Sequence, residues 1–123
     1  MNRSTFRHVL VTAAMAAFAI VASQPLHAEV LDKTKKVSGM TIRYKVVLPD
    51  GYDATKAYPA ILAFGGGPQT MNTVDGMLMR NFRAEAEKRG YIVIAPAAPD
   101  IGLFFEEGAR IFPEFLKLML ADY

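Results

Sequence analysis

The chain has 123 residues, 52% hydrophobic and 21% charged, which suits one small folded domain and excludes a disordered chain. The formal charge of +2 comes from Arg3 and Arg7. From Glu29 onward 12 basic side chains face 12 acidic ones, so no nucleic-acid partner is indicated. The absence of cysteine excludes a disulfide framework, a thiolate nucleophile and zinc–thiolate ligation.

Residues 1–28 have the pattern of a secretory signal peptide. Arg3 and Arg7 supply a positive start, an apolar run of 14 residues follows from Val9 to Ala22, and Leu26-His27-Ala28 places a small residue before the cut. As a helix that run would span about 21 Å, short of the roughly 30 Å hydrocarbon core, so no stable membrane anchor is expected. Residues 29–123 are then an exported domain, in a bacterial periplasm or beyond. The only histidines, His8 and His27, lie in the leader, and Ser38 is the only serine after it. A Ser-His-Asp triad, histidine-based proton transfer and His/Cys metal sites are all excluded from residues 29–123.

Met40-Thr41-Ile42-Arg43-Tyr44-Lys45-Val46-Val47-Leu48 alternates apolar and polar with Val47 out of phase, the pattern of a strand with one wet face. Residues 29–37 are a weaker strand, and Ser38-Gly39 is the hairpin turn between the two. Pro49 to Lys56 is a turn-rich loop. Residues 60–64 and 91–95 are continuous apolar runs ended by glycine or proline, as in parallel strands buried on both faces. Between them residues 73–89 have helical spacing, with Val74, Met77, Leu78 and Phe82 as the buried stripe, Asn72 or Thr73 as cap and Gly90 as stop. Strand, helix and strand make one βαβ unit. Ile111, Phe112, Phe115, Leu116, Met119 and Leu120 form a second, stronger stripe over a helix at 112–121, with Pro113 in its first turn.

Gly65-Gly66-Gly67 follows the first buried strand directly. Successive glycines allow close backbone approach and positive φ, so their N–H groups can converge on a negative oxygen. Pro68-Gln69 stands where a Walker loop needs Gly-Lys-Ser/Thr, and Thr70 stands where a dinucleotide fingerprint needs glycine. A plain strand-end turn and an oxyanion hole remain, and the oxyanion hole is preferred. Asp100, Glu106 and Glu107 could suggest paired carboxylates for glycoside hydrolysis, but acids at a helix start are ordinarily capping groups. Phe104 and Phe105 are candidates for an apolar substrate pocket, with core packing as the alternative.

The stretches Arg43-Tyr44-Lys45-Val46-Val47-Leu48-Pro49-Asp50-Gly51-Tyr52, Tyr58-Pro59-Ala60-Ile61-Leu62-Ala63-Phe64-Gly65-Gly66-Gly67-Pro68-Gln69 and Gly90-Tyr91-Ile92-Val93-Ile94-Ala95-Pro96 resemble the N-terminal part of an α/β-hydrolase. They are most similar to secreted bacterial esterases of the polyhydroxybutyrate depolymerase, feruloyl esterase and dienelactone-hydrolase-like group. The resemblance implies an α/β fold: an antiparallel β-hairpin, then parallel β-α-β-α, truncated before the nucleophile strand. It implies that strand 60–64 lies between strand 91–95 and that absent strand. It also puts Gly65, Gly66 and Gly67 on the family's His-Gly-Gly-Gly oxyanion segment, with Phe64 in place of the histidine and Gly66 and Gly67 as donors. No Gly-x-Ser-x-Gly occurs in the chain. The implied function is the N-terminal fragment of an exported serine carboxylic-ester hydrolase, inactive as it stands, with a small-molecule ester substrate and neither cofactor nor metal. The alternatives are a non-catalytic exported anion-binding module and a fragment of a prolyl-peptidase-like hydrolase cleaving amides.

Overall fold

The computed structural model describes residues 28–100 and 102–123. Apart from Ala28, the leader lies outside the described residues. β1 (Glu29–Val37) and β2 (Met40–Leu48) form the expected hairpin, paired antiparallel from Glu29↔Leu48 to Val37↔Met40. Ser38 and Gly39 both take positive φ, 48° and 83°, the two-residue turn whose twist matches the flanking strands. β3 (Ala60–Leu62) runs parallel to β4 (Ile92–Pro96), and β4 is antiparallel to β2 on its other side. The sheet order is β1-β2-β4-β3.

β4 is central and buried along its whole length. β3 departs from the expectation of a five-residue strand buried on both faces. It is three residues long, with Ala60 exposed and Ile61 and Leu62 half-buried. The reason is position: among the described residues it has a strand neighbour on one side only.

The single helix expected over 73–89 is two helices, α1 (Met71–Asn81) and α2 (Arg83–Arg89). The break is at Phe82, with φ −124° and ψ −34°. Its N–H still donates to the Leu78 carbonyl and its carbonyl accepts from Ala86 N–H, so the hydrogen-bond ladder passes the bend. The cap is also corrected. Thr70, not Asn72 or Thr73, caps α1, its Oγ1 accepting from Thr73 N–H at 3.2 Å. Gly90 stops α2 as expected, at φ 68°.

The sheet has two covered faces. On one, Ile42, Tyr44, Val46, Leu48, Ile92 and Ile94 pack against Phe104, Ile111, Phe115 and Met119. Phe104 comes from α3 (Phe104–Glu107), Phe115 and Met119 from α4 (Phe112–Asp122), and Ile111 from the junction between the 3-10 turn Gly108–Arg110 and α4. On the other face, Val47, Val93 and Ala95 pack against Val74, Met77, Leu78 and Ala86 of α1 and α2. The apparent phase error at Val47 thus has a physical cause: the face that looks wet in the sequence is covered by helix at that end. Lys45 shares this face and reaches Asp32 of β1 at 2.6 Å and Asp75 of α1 at 2.9 Å. The hydrogen bonds it donates to Asp32 first, then to Asp75, hold its ammonium above the usual lysine range. Among the described residues no helix is long and apolar enough to cross a membrane.

Candidate functional site at the glycine loop

The backbone leaves β3 with Ala63 N–H donating to the Ile94 carbonyl at 2.9 Å, and then turns outward. Gly66 and Gly67 are exposed, Gly65 is half-buried, and Gly67 takes φ +70°, which favours glycine. A Cβ at Gly66 or Gly67 would meet nothing within 4 Å, so the space above the loop is open. Among the described residues no protein group accepts from the N–H groups of these three glycines. Pro68 has no N–H to offer.

What holds the loop is Gln69, 1% exposed. Its Nε2 donates to the Gly65 carbonyl at 2.7 Å, and its Oε1 accepts from Phe104 N–H. Its own N–H donates to the Gly102 carbonyl at 2.8 Å and its carbonyl accepts from Ala98 N–H at 2.9 Å. One buried amide therefore joins the start of the glycine loop to the start of α3, with both side-chain ends satisfied. The sequence shows Gln69 only as a residue that rules out a Walker loop. Its role comes from joining Gly65, four residues back, to Phe104, 35 residues on, a link no local pattern contains.

Phe104 and Phe105, paired in the sequence, separate in space. Phe104 is core, while Phe105 is 64% exposed. Phe64, immediately before the three glycines, is 43% exposed, and its ring lies 5.4 Å from Phe104 and 6.1 Å from Phe112 between centroids. With Phe105 and Ala109 these rings line an open groove of about 440 Å³ that has no polar lining side chain. The carboxylates have ordinary duties. Glu106 accepts from Leu103 N–H at 3.4 Å, and Glu107 pairs with Arg110 at 2.8 Å. Among the described residues no group of three histidine, cysteine, aspartate or glutamate side chains could hold a metal ion.

With the loop at a strand end, open and held from behind, comparison with known proteins adds a relative. Over 62 residues, half of this chain, the sequence is 45% identical to dipeptidyl-peptidase 5 of Porphyromonas gingivalis. That stretch is 9% of the peptidase's own length. The chain is therefore similar, over half its length, to a small part of a peptidase. No family model matches the chain. No solved structure matches it.

Proposed function

We propose that residues 29–123 form the oxyanion side of an exported serine hydrolase of the α/β-hydrolase type, acting on peptide bonds and taking its nucleophile and base from outside these 123 residues. The observation that carries this is the glycine loop: Gly66 and Gly67 present free N–H groups at the end of a parallel strand, and Gln69 fixes the loop from below. In such a reaction a serine oxygen adds to the substrate carbonyl while its proton passes to a base. The carbonyl oxygen becomes an oxyanion, and the amine leaves with that proton. Two backbone donors at the oxyanion stabilise the transition state, and loss of one such donor costs about 2.7–4 kcal/mol in known cases. Esters use the same device, and the likeness to a dipeptidyl-peptidase favours amides.

Without a histidine beyond residue 27 the chain has no imidazole to activate Ser38, which sits in the hairpin turn. Purified residues 29–123 should hydrolyse p-nitrophenyl acetate and a panel of dipeptidyl aminomethylcoumarins no faster than the same chain carrying Ser38→Ala. Hydrolysis that vanishes with Ser38→Ala would refute the proposal.

Export follows from the leader pattern and is tested separately. Ala28 is buried, and its carbonyl accepts from Arg83 Nε at 3.3 Å, a contact that cleavage after residue 28 would remove. Mass spectrometry of the protein from its host should find Glu29 first. A chain still starting at Met1 in the membrane fraction would contradict export by cleavage.

A further inference from the structure

The hairpin leaves one face of its turn end bare. On that face the cross-strand pairs run Val30↔Val47, Asp32↔Lys45, Thr34↔Arg43 and Lys36↔Thr41. The first pair packs with α1 and α2, and Lys45 of the second reaches Asp75 of α1 at 2.9 Å. The last two pairs are open: Thr34, Lys36, Thr41 and Arg43 are all exposed. Lys36 and Arg43 are diagonal neighbours, about 7–8 Å apart, within reach of one another for long side chains. Among the described residues neither is paired with a carboxylate.

The second observation is charge segregation. Residues 29–48 carry five basic and two acidic side chains, a net +3, while residues 49–123 carry seven basic and ten acidic, a net −3. Lys35 is neutralised by Asp122 at 2.6 Å, and Lys45 by Asp32 and Asp75. The unpaired cations of the hairpin are then Lys36, Arg43 and Lys33, the last on the opposite face of β1, whose outer edge is open. Edge protection accounts for lysines on β1, but not for Arg43, which lies on β2 inside the sheet.

A molecule so divided turns its hairpin toward a negative surface and its remainder away. A free phosphate on a flat, open face would keep most of its water and gain little. A long polyanion following the molecule round would meet the net −3 remainder. A plane of anionic headgroups meets the hairpin end alone. We propose that Lys36 and Arg43, with Lys33 beside them and Thr34 and Thr41 as hydrogen-bonding neighbours, dock the chain reversibly on an anionic phospholipid surface through its headgroup phosphates. This is a peripheral contact and not an anchor, and it is independent of the role of the glycine loop.

The test is co-sedimentation of the protein, purified from its host, with vesicles of phosphatidylcholine alone and with vesicles containing roughly one-third phosphatidylglycerol, in low salt. Each cation near an anionic membrane is worth about fivefold in partition, so three should give about a hundredfold preference for the anionic vesicles. Lys36→Gln and Arg43→Gln should each lower that preference about fivefold. Lys88→Gln and Lys117→Gln, exposed on the remainder, should change it by less than about twofold. Equal partition into both vesicles, or a loss on Lys117→Gln as large as on Arg43→Gln, would overturn the proposal. Release by millimolar inorganic phosphate at constant ionic strength would overturn it too, because it would mean a site for the free ion and not for a surface.

Discussion

At one edge of the sheet, β1 runs nine residues and carries Asp32, Lys33, Lys35 and Lys36; at the other, β3 runs three, Ala60-Ile61-Leu62, and carries no charge. The β1 edge is also tied down, with Lys35 meeting Asp122 of α4 at 2.6 Å and Asp32 meeting Lys45. Charged edge strands discourage pairing with other chains. β3 has the opposite character. Pro59 O and Ala63 N–H bond to β4, so the alternate residues Ala60 and Leu62 turn their N–H and C=O groups outward. A groove lies beside it on each face, an apolar one lined by Tyr58, Leu116 and Leu120 and a mixed one lined by Phe82, Ala86 and Tyr91 with Glu85 and Arg89. One edge is finished by its own residues, and the glycine loop grows from the edge that is not.

The largest expected effect separates the two sides within one helix. Phe115 of α4 is fully buried and meets Tyr44 edge-on at 5.6 Å, whereas Leu120 is 72% exposed beside β3. Phe115→Ala should cost about 3–5 kcal/mol in urea unfolding. Leu120→Ala should stay within about 0.5 kcal/mol. Similar costs for both would mean that the stripe of α4 is evenly packed and the contrast is false.

A middle-sized effect sits under the aromatic groove. A Cβ on Gly108 would approach the Phe104 ring to 2.9 Å, so Gly108→Ala must move a core ring. A loss of about 1–3 kcal/mol is expected by thermal melting. An unchanged midpoint would show that Phe104 is free to shift. At the open edge, sedimentation velocity should detect self-association of residues 29–123. Ala60→Lys should weaken it about tenfold, equivalent to ~1.4 kcal/mol. Association that ignores Ala60→Lys would place the sticky surface elsewhere.

The smallest effect belongs to the finished side. Burial first, then the Asp122 charge, raises the Tyr44 phenol above its usual value of 10.0. Burial first, then Tyr44, raises Tyr123 further. Both phenols stay protonated in the folded chain where they would ionise in the unfolded one. Their contribution is therefore complete below about pH 10 and is lost as pH rises through the folded values. The unfolding midpoint should fall from pH 9 to pH 11, and less steeply in Tyr44→Phe. Identical slopes would remove this pair from the alkaline limb.

Elements whose limits are local were legible in the sequence. Ser38-Gly39 and Gly90 mark turn and stop because their backbone angles favour particular residue types, and the structure has them there. The alternation in β2 and the apolar run of β4 likewise follow from which faces are covered. Features set by distant partners were not legible. The bend at Phe82 splits a continuous helical pattern, and β3 is partly exposed because, among the described residues, it has a strand on one side only. At the candidate site the three glycines were visible, while Gln69, which holds them, was not. A buried glutamine looks like any surface glutamine until its partners are known.

That Gly66 and Gly67 serve a serine nucleophile lying outside these residues is tested most directly by covalent labelling. The protein translated from the gene's entire reading frame in its native host would be treated with a fluorophosphonate, digested, and the modified residue located by mass spectrometry. One labelled serine outside residues 1–123 is the predicted result, with labelling slowed at least about tenfold by Gly67→Ala. No labelled serine, or a label on Ser38, would contradict it.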